Sequence, residues 1–403
     1  MGILDWLFGR KRRLPAEPEV FVPRPVEVPD SPNAREPFLN HPMPRSKRRW
    51  YYERTANLFW RNGRSKEPKY STSIEPSPSR IEALGLPDLR ELRDLAALLG
   101  VALKDLKQYS ARPNHANGHY LPLYITKKNG TKRLLLAPKP RLKAIQRALH
   151  QKLVRKLPLN EAVHGFRRGR DSLSSASAHV GRDVVICMDI EEFFPSFDFR
   201  RVSGFFRAVG YSREVAVMLA NLTTVAPDDV PNAESRYCRD IPQLPQGAPT
   251  SPGLANAICW RMDKRLAALA HRFGAEYTRY ADDLTFSGHD DLADGANKFV
   301  RMVREILLSE GLYVNEDKTR IMRKSRQQRV TGVVVNERTN VSRREFDRLK
   351  AILHNCAKHG PGGQNHERHE DFAGHLRGRI AYFCHIGPER GRKLMRMFEL
   401  INW

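Results

Sequence analysis

Val184 to Met188 is an unbroken apolar run, and it stops at Asp189. A short run with no polar alternation reads as a strand covered on both faces, at the centre of a sheet. A carboxylate at the end of such a strand is costly unless it faces a cleft or a metal ion. The fold must therefore bury this strand and open a cleft at Asp189. Glu191 and Glu192 are rival acids, but they fall where a turn or helix has begun. A second acidic feature lies in EYTRYADDLTFSG, residues 276–288. Tyr277, Thr278 and Tyr280 precede Asp282 and Asp283; Leu284, Thr285 and Phe286 follow them. The pattern predicts a tight β-hairpin with the acid pair at its turn. Asp-Asp lacks the Gly or Asn that such a turn favours, so local strain is expected there. Adjacent carboxylates repel unless a cation neutralises them, and hard divalent cations prefer oxygen ligands. Alone, the pair would read as a solvated acidic turn; Asp189 is the natural third acid beside it.

The chain has 403 residues, enough for two or three packed units. Its 69 Lys and Arg against 45 Asp and Glu give a formal net charge of +24, which argues for a polyanionic partner, nucleic acid before membrane. No apolar run approaches the roughly 18 residues that span a bilayer, so a cytoplasmic protein is expected. The cysteines, Cys187, Cys238, Cys259, Cys356 and Cys384, form no CxxC pair and fit reduced thiols. His354, Cys356, His359, His366 and His369 match no familiar zinc spacing and read as a polar loop region.

Residues 1–82 form a Pro/Arg-rich basic extension. Around Trp50, Tyr51, Tyr52, Phe59 and Trp60 it interleaves aromatics with arginines, either as an RNA-binding arm or as a short helix packed on the main body. Helical spacing follows over Leu89, Leu92, Leu95 and Leu98 or Leu99. Tyr120–Thr126 and Lys132–Ala137 read as strands joined by a turn whose Asn129-Gly130 is a strong hairpin signal. Its basic residues suit a grip on a triphosphate, with Arg133 foremost. QGAPTSP, from Gln246, is a loop running into a helix from about Ser251, and QQRVTGVVVN reads as a further strand. Three short helices are expected from about Ser342 onward.

In order along the chain these blocks resemble a reverse transcriptase. Tyr280–Asp283 is similar to its YxDD box, Asp189 to the acid of the first palm motif, and QGAPTSP to the motif at the nascent base pair. NEDKT at 315–319 resembles the next motif and Arg133 the fingers arginine. The resemblance implies an α+β right-hand polymerase: fingers and palm over 83–341, the palm an antiparallel sheet with helices, and a small helical thumb over 342–403. It implies that Asp189, Asp282 and Asp283, with the Ile190 carbonyl, bind two Mg²⁺ ions, Mn²⁺ being a substitute. Arg133 with Lys127 or Lys128 would hold the dNTP triphosphate and Gln246 would sit beside the nucleotide. Phe194 would be the gate against a ribose 2′-hydroxyl, and Lys318 would protonate pyrophosphate.

The chain most resembles bacterial retron enzymes. QGAPTSPGLAN differs from the QGxPxGGxxSP form of group II intron proteins. Val330-Thr331-Gly332 matches the retron VTG element in full, and Ser175–His179 matches NAxxH except that Ser175 replaces Asn. That resemblance implies copying of a structured noncoding RNA into branched, RNA-linked DNA, in antiphage defence with an effector protein. Val330, Thr331 and Gly332 and the thumb residues Arg343, Arg344, Arg377 and Arg379 would grip the RNA. The alternatives are another bacterial reverse transcriptase, intron-like or defence-associated, and an RNA-binding scaffold with an inactive palm.

Overall fold

The computed structural model describes residues 75–110, 118–126, 130, 132–225 and 241–403. Lys127, Lys128, Cys238 and the arginine-aromatic stretch around Trp50 lie outside the described residues.

The described chain opens with α1 (Pro78–Ala83), α2 (Leu92–Leu99) and α3 (Leu103–Ser110). Ile81 of α1 is buried in the main core, so packing reaches upstream of residue 83. Leu95 and Leu99 on α2 and Leu106 on α3 are buried with it. The strands β1 (Tyr120–Thr126) and β2 (Lys132–Pro138) pair antiparallel as a separate two-stranded sheet, with Thr126 opposite Lys132. Then come α4 (Pro140–Lys152), α5 (Ser172–Ser177) and the central strand β3 (Val184–Ile190). Next are α6 (Phe199–Val209), α7 (Arg213–Thr223), α8 (Ser251–Ile258) and α9 (Trp260–Arg272), the last two split at Cys259. The hairpin β4 (Glu276–Tyr280) and β5 (Asp283–Gly288) leads to α10 (Asp290–Asp294), α11 (Ala296–Ser309) and β6 (Val314–Arg323). The segment read as one strand around Val330 is instead a small hairpin, β7 (Arg329–Val330) and β8 (Val333–Val334). Thr331 and Gly332 take φ of 47° and 90°, and that turn overrides the strand propensity of the flanking valines. Three helices follow over the stretch expected to form the thumb, α12 (Arg343–His359), α13 (Phe372–Ile386) and α14 (Pro388–Glu399).

The palm sheet runs β4-β5-β3-β6, all antiparallel. Side chains of β3 alternate between two cores. Val184, Ile186, Met188 and Ile190 enter the main core with Leu284, Phe286 and Tyr277. Val185 faces the other way, into a second core with Ala176, Val330, Val333 and thumb residues Leu349, Ile380 and Phe383. The unbroken apolar run is thus explained by burial on both faces. Asp189 shares the Val185 face, by the two-residue period of a strand. Among the described residues no helix is long and apolar enough to cross a membrane.

Candidate active site

Register brings the acids together. Asp189 on β3 stands opposite Asp283 on β5, and Asp283 pairs with Tyr280 across the hairpin. The turn itself is Ala281-Asp282, so Asp283 opens β5 instead of sharing the turn. Ala281 carries the strain, with φ at 58°, a left-handed conformation costing a non-glycine residue about 1–2 kcal/mol. The neighbouring chain supports it closely. Val163 bridges Arg279, and the His164 N–H donates to the Arg279 carbonyl at 2.8 Å. A Cβ on Gly165 would lie 2.6 Å from the Ala281 nitrogen, which makes glycine obligatory at this approach.

Beneath the turn, Arg279 is completely buried. Its Nε and one terminal nitrogen each donate at 2.7 Å to the Asp263 carboxylate on α9. The other terminal nitrogen donates to Asn256 Oδ1 at 2.8 Å and to the Ala281 carbonyl at 3.2 Å. Asn256 in turn donates to the Gly165 carbonyl at 2.8 Å, and Tyr277 donates to Asp263 at 2.9 Å. Burial opposes the Arg279 charge, and Asp263 more than offsets it, so the guanidinium stays charged. Sequence reasoning passed over this clamp, because neither Arg279 nor Asp263 stands in a pattern that signals a buried ion pair.

The acids are electrostatically crowded. Asp282 is raised to about 6 by burial and by the Asp189 charge, with Lys318 and Arg133 pulling the other way. Asp283 is raised to about 7 by burial and by the charges of Asp282 and Asp189. Its side chain still reaches solvent, so charge repulsion is the firmer of those causes. Lys318 donates to both Asp189 oxygens at 3.0 Å. A bulge puts it there. Between the Asn315–Asp189 and Arg320–Cys187 pairs β6 takes five steps and β3 two, so residues 316–319 arch out of the sheet. Arg133, exposed on β2, is near enough for its charge to act on Asp282. Ile190 closes the site's edge, its N–H donating to the Asp282 carbonyl at 2.9 Å.

Phe194 is half-buried, its ring 5.5 Å from Phe193 and 6.4 Å from Phe166. Phe166 also stands 6.4 Å from Tyr280 and has φ of 58°, unusual for so bulky a residue. It joins the aromatic wall beside the acids, a place nothing in its sequence context indicated. Gln246 meets the fingers through its backbone, the Leu136 N–H donating to its carbonyl at 2.8 Å. The close approach allowed by Gly247 (φ 122°) is likewise to Leu136.

Farther from the acids, Val330 is completely buried, so the 330–332 turn offers a partner Thr331, Gly332 and backbone, not the Val330 side chain. Arg343, Arg344 and Arg377 are exposed on the thumb, and Arg377 covers the Phe398 ring at 5.6 Å. Arg379 is lowered by burial and by the charge of Arg348 on α12, with Glu345 and Glu367 pulling the other way. Among the described residues no group of three or more His, Cys, Asp and Glu side chains stands in ligand geometry for a metal ion. The Asp189 carboxylate is instead taken by the Lys318 ammonium.

Residues 125–335 match the reverse transcriptase (RNA-dependent DNA polymerase) family. The Retron Mx65 reverse transcriptase of Myxococcus xanthus is 43% identical over 326 residues, covering 80% of this chain and 74% of that protein. The chain belongs to the retron-type reverse transcriptases. The Retron Mx162 enzyme of the same organism is 38% identical over 84% of this chain and 72% of its own length. The Retron Ec86 reverse transcriptase of Escherichia coli is 30% identical over 78% and 91%. This retron-type reverse transcriptase is an RNA-directed DNA polymerase with an α+β right-hand fold. The four-stranded sheet and helices α12 to α14 stand where the palm and thumb of that fold are expected.

Proposed function

We propose that this enzyme copies part of a dedicated structured noncoding RNA into branched, RNA-linked single-stranded DNA, acting in the cytoplasm in antiphage defence with an effector protein. The observation that carries the catalytic part is the meeting of Asp189, Asp282 and Asp283 at one end of the palm sheet, where burial and mutual repulsion raise the pKa of Asp282 and Asp283. Such crowding is what a divalent cation relieves, and an all-oxygen donor set suits Mg²⁺ or Mn²⁺. On this reading the three carboxylates and the Ile190 carbonyl would hold two such ions once Lys318 gives up Asp189. Bound there, the ions would activate the attacking hydroxyl and stabilise the leaving pyrophosphate.

The chain's own residues do the rest. Arg133, with Lys127 beyond the described residues, holds the triphosphate. Lys318 neutralises Asp189 until cations enter, and its ammonium is then free to donate a proton toward pyrophosphate. Phe194, backed by Phe166, forms the floor that a ribose 2′-hydroxyl would strike. Gln246 lies by the incoming nucleotide. The Arg348–Arg379 pair, with Arg343, Arg344 and Arg377, suits the backbone of an RNA-containing duplex, which is read mainly through phosphate and 2′-hydroxyl contacts.

Purified full-length enzyme supplied with an RNA template, dNTPs and Mg²⁺ should make DNA. The double variant Asp282→Asn, Asp283→Asn should fall to background, and persistent synthesis would overturn the metal assignment. In the same assay Phe194→Ala should admit ribonucleotides; unchanged sugar selectivity would reject the gate. Nucleic acid copurifying with the enzyme should be branched RNA–DNA of one sequence. Linear DNA alone would favour a reverse transcriptase not tied to a retron RNA.

A further inference from the structure

The Ser175–His179 element departs from the retron pattern at its first residue, and the catalytic reading gives it no task. Its contacts do. His179 is completely buried. Its Nδ1 lies 2.7 Å from Ser287 Oγ on β5 and its Nε2 lies 2.8 Å from Thr278 Oγ1 on β4. Burial, helped by the charges of His164 and Arg182, lowers it to about 3, so the ring is neutral and donates through one nitrogen while accepting through the other. Ser175 Oγ makes a second bond to Thr278, at 2.9 Å. Thr278 pairs with Thr285, and Ser287, Thr285 and Asp283 share one face of β5 by the strand's period. The ring therefore spans both strands of the catalytic hairpin on the face that carries Asp283.

The opposite side of α5 meets the thumb and the 330–332 turn. The Thr331 hydroxyl donates to the Ser172 carbonyl at 3.0 Å. Asp171 caps α5, accepting from the Ser174 N–H at 2.8 Å, and its second oxygen lies 2.8 Å from His385 Nε2 on α13. Ala176 is part of the thumb-side core.

We propose that α5 and His179 form a positioning bracket that ties the placement of Asp282 and Asp283 to the docking of the thumb. His179 and Ser175 fix the spacing of β4 and β5 behind the acids, while Thr331 and His385 fix α5 from outside. Thumb engagement with a bound duplex then acts on the hairpin through one short helix. Ser175 keeps a hydroxyl aimed at Thr278, so the bracket survives the loss of the Asn found in the retron pattern. The proposal rests on Asp282 and Asp283 as metal ligands.

The test measures Mn²⁺ binding to the full-length protein, from the electron paramagnetic resonance of free Mn²⁺, beside Tm and the dNTP KM. His179→Leu should weaken Mn²⁺ binding about tenfold, the lower end for groups that orient metal ligands, with KM changed less than twofold. His179→Gln should recover most of the loss, and Ser287→Ala, which removes one arm, should fall between. Leu219→Ala, buried in α7 away from the hairpin, should lower Tm without moving Mn²⁺ affinity. His385→Ala should weaken Mn²⁺ binding only when an RNA duplex is bound; no effect there would remove the thumb from the proposal. Unchanged Mn²⁺ affinity in Ser287→Ala, or an equal loss in Leu219→Ala, would overturn the bracket, even if His179→Leu did not fold. Asp283→Asn separates the underlying reading: Mn²⁺ bound as in the wild type would defeat the ligand assignment itself.

Discussion

On the main-core side of the β4–β5 hairpin the grip is ionic, with the Arg279 guanidinium locked between Asp263, Asn256 and the Ala281 carbonyl. On the cleft side it is neutral, the His179 imidazole and the Ser175 hydroxyl joining the 175–179 stretch to Thr278 and Ser287. The difference follows from what else each face carries. Asp189, Asp282 and Asp283 already push against one another, and an added cation beside them would fill the role left for a metal. An uncharged bracket fixes geometry without altering that balance. Arg279 is tolerated below because Asp263 cancels its charge at 2.7 Å. Strength is placed under the hairpin, and the bracket adds no charge to those of Lys318 and Arg133 beside the acids.

The largest expected effect breaks the ionic side. Asp263→Ala strands a buried guanidinium and should cost about 3–5 kcal/mol in chemical denaturation, whereas Thr278→Val on the neutral side should cost about 1–3 kcal/mol. Equal losses would erase the contrast.

A smaller effect reads the acids through pH. Asp282 at about 6 and Asp283 at about 7 lie above ordinary carboxylate values near 4. The native state thus keeps protons that the unfolded chain releases. Metal-free stability should be greatest below about pH 4 and decline as pH rises through about 6 to 7. Divalent binding needs the carboxylates free of protons, so half-saturating Mg²⁺ should rise as pH falls, by up to about tenfold per unit between about pH 7 and 6 and more steeply below, where both acids are protonated. Melting curves from pH 5 to 8, with and without Mg²⁺, check both slopes, and the double Asn variant should flatten them. A wild-type curve already flat would mean the acids are not crowded.

The smallest effect probes the strain between the two grips. Ala281→Gly relieves a positive φ but frees the unfolded chain, so stability should rise by no more than about 1 kcal/mol. A loss would place the strain elsewhere.

Much of the palm could be read from residue order. The apolar run at Val184, the Asn-Gly turn and the acid hairpin each state their period or turn chemistry locally. What escaped was set by distant partners. Nothing in the residue pattern pairs Arg279 with Asp263 until tertiary packing brings β4 onto α9. Lys318 reaches Asp189 only through an irregularity in β6 that no residue type announces. The 330–332 turn was masked by valines, since Thr331 at positive φ is a conformation that sequence seldom signals. Phe166 likewise takes its place from a backbone held by the neighbouring Gly165 contact.

The two-sided burial of β3 has a consequence for anyone who would recombine these enzymes. Val185 and Ala176 belong to the palm by chain position yet complete the core beneath the thumb. The thumb is therefore no detachable module. Grafting α12 to α14 from a relative would leave mismatched apolar partners unless the 175–185 stretch and the 330–335 hairpin travelled with it. The unit of exchange is a surface drawn through the sheet, not a cut point along the chain.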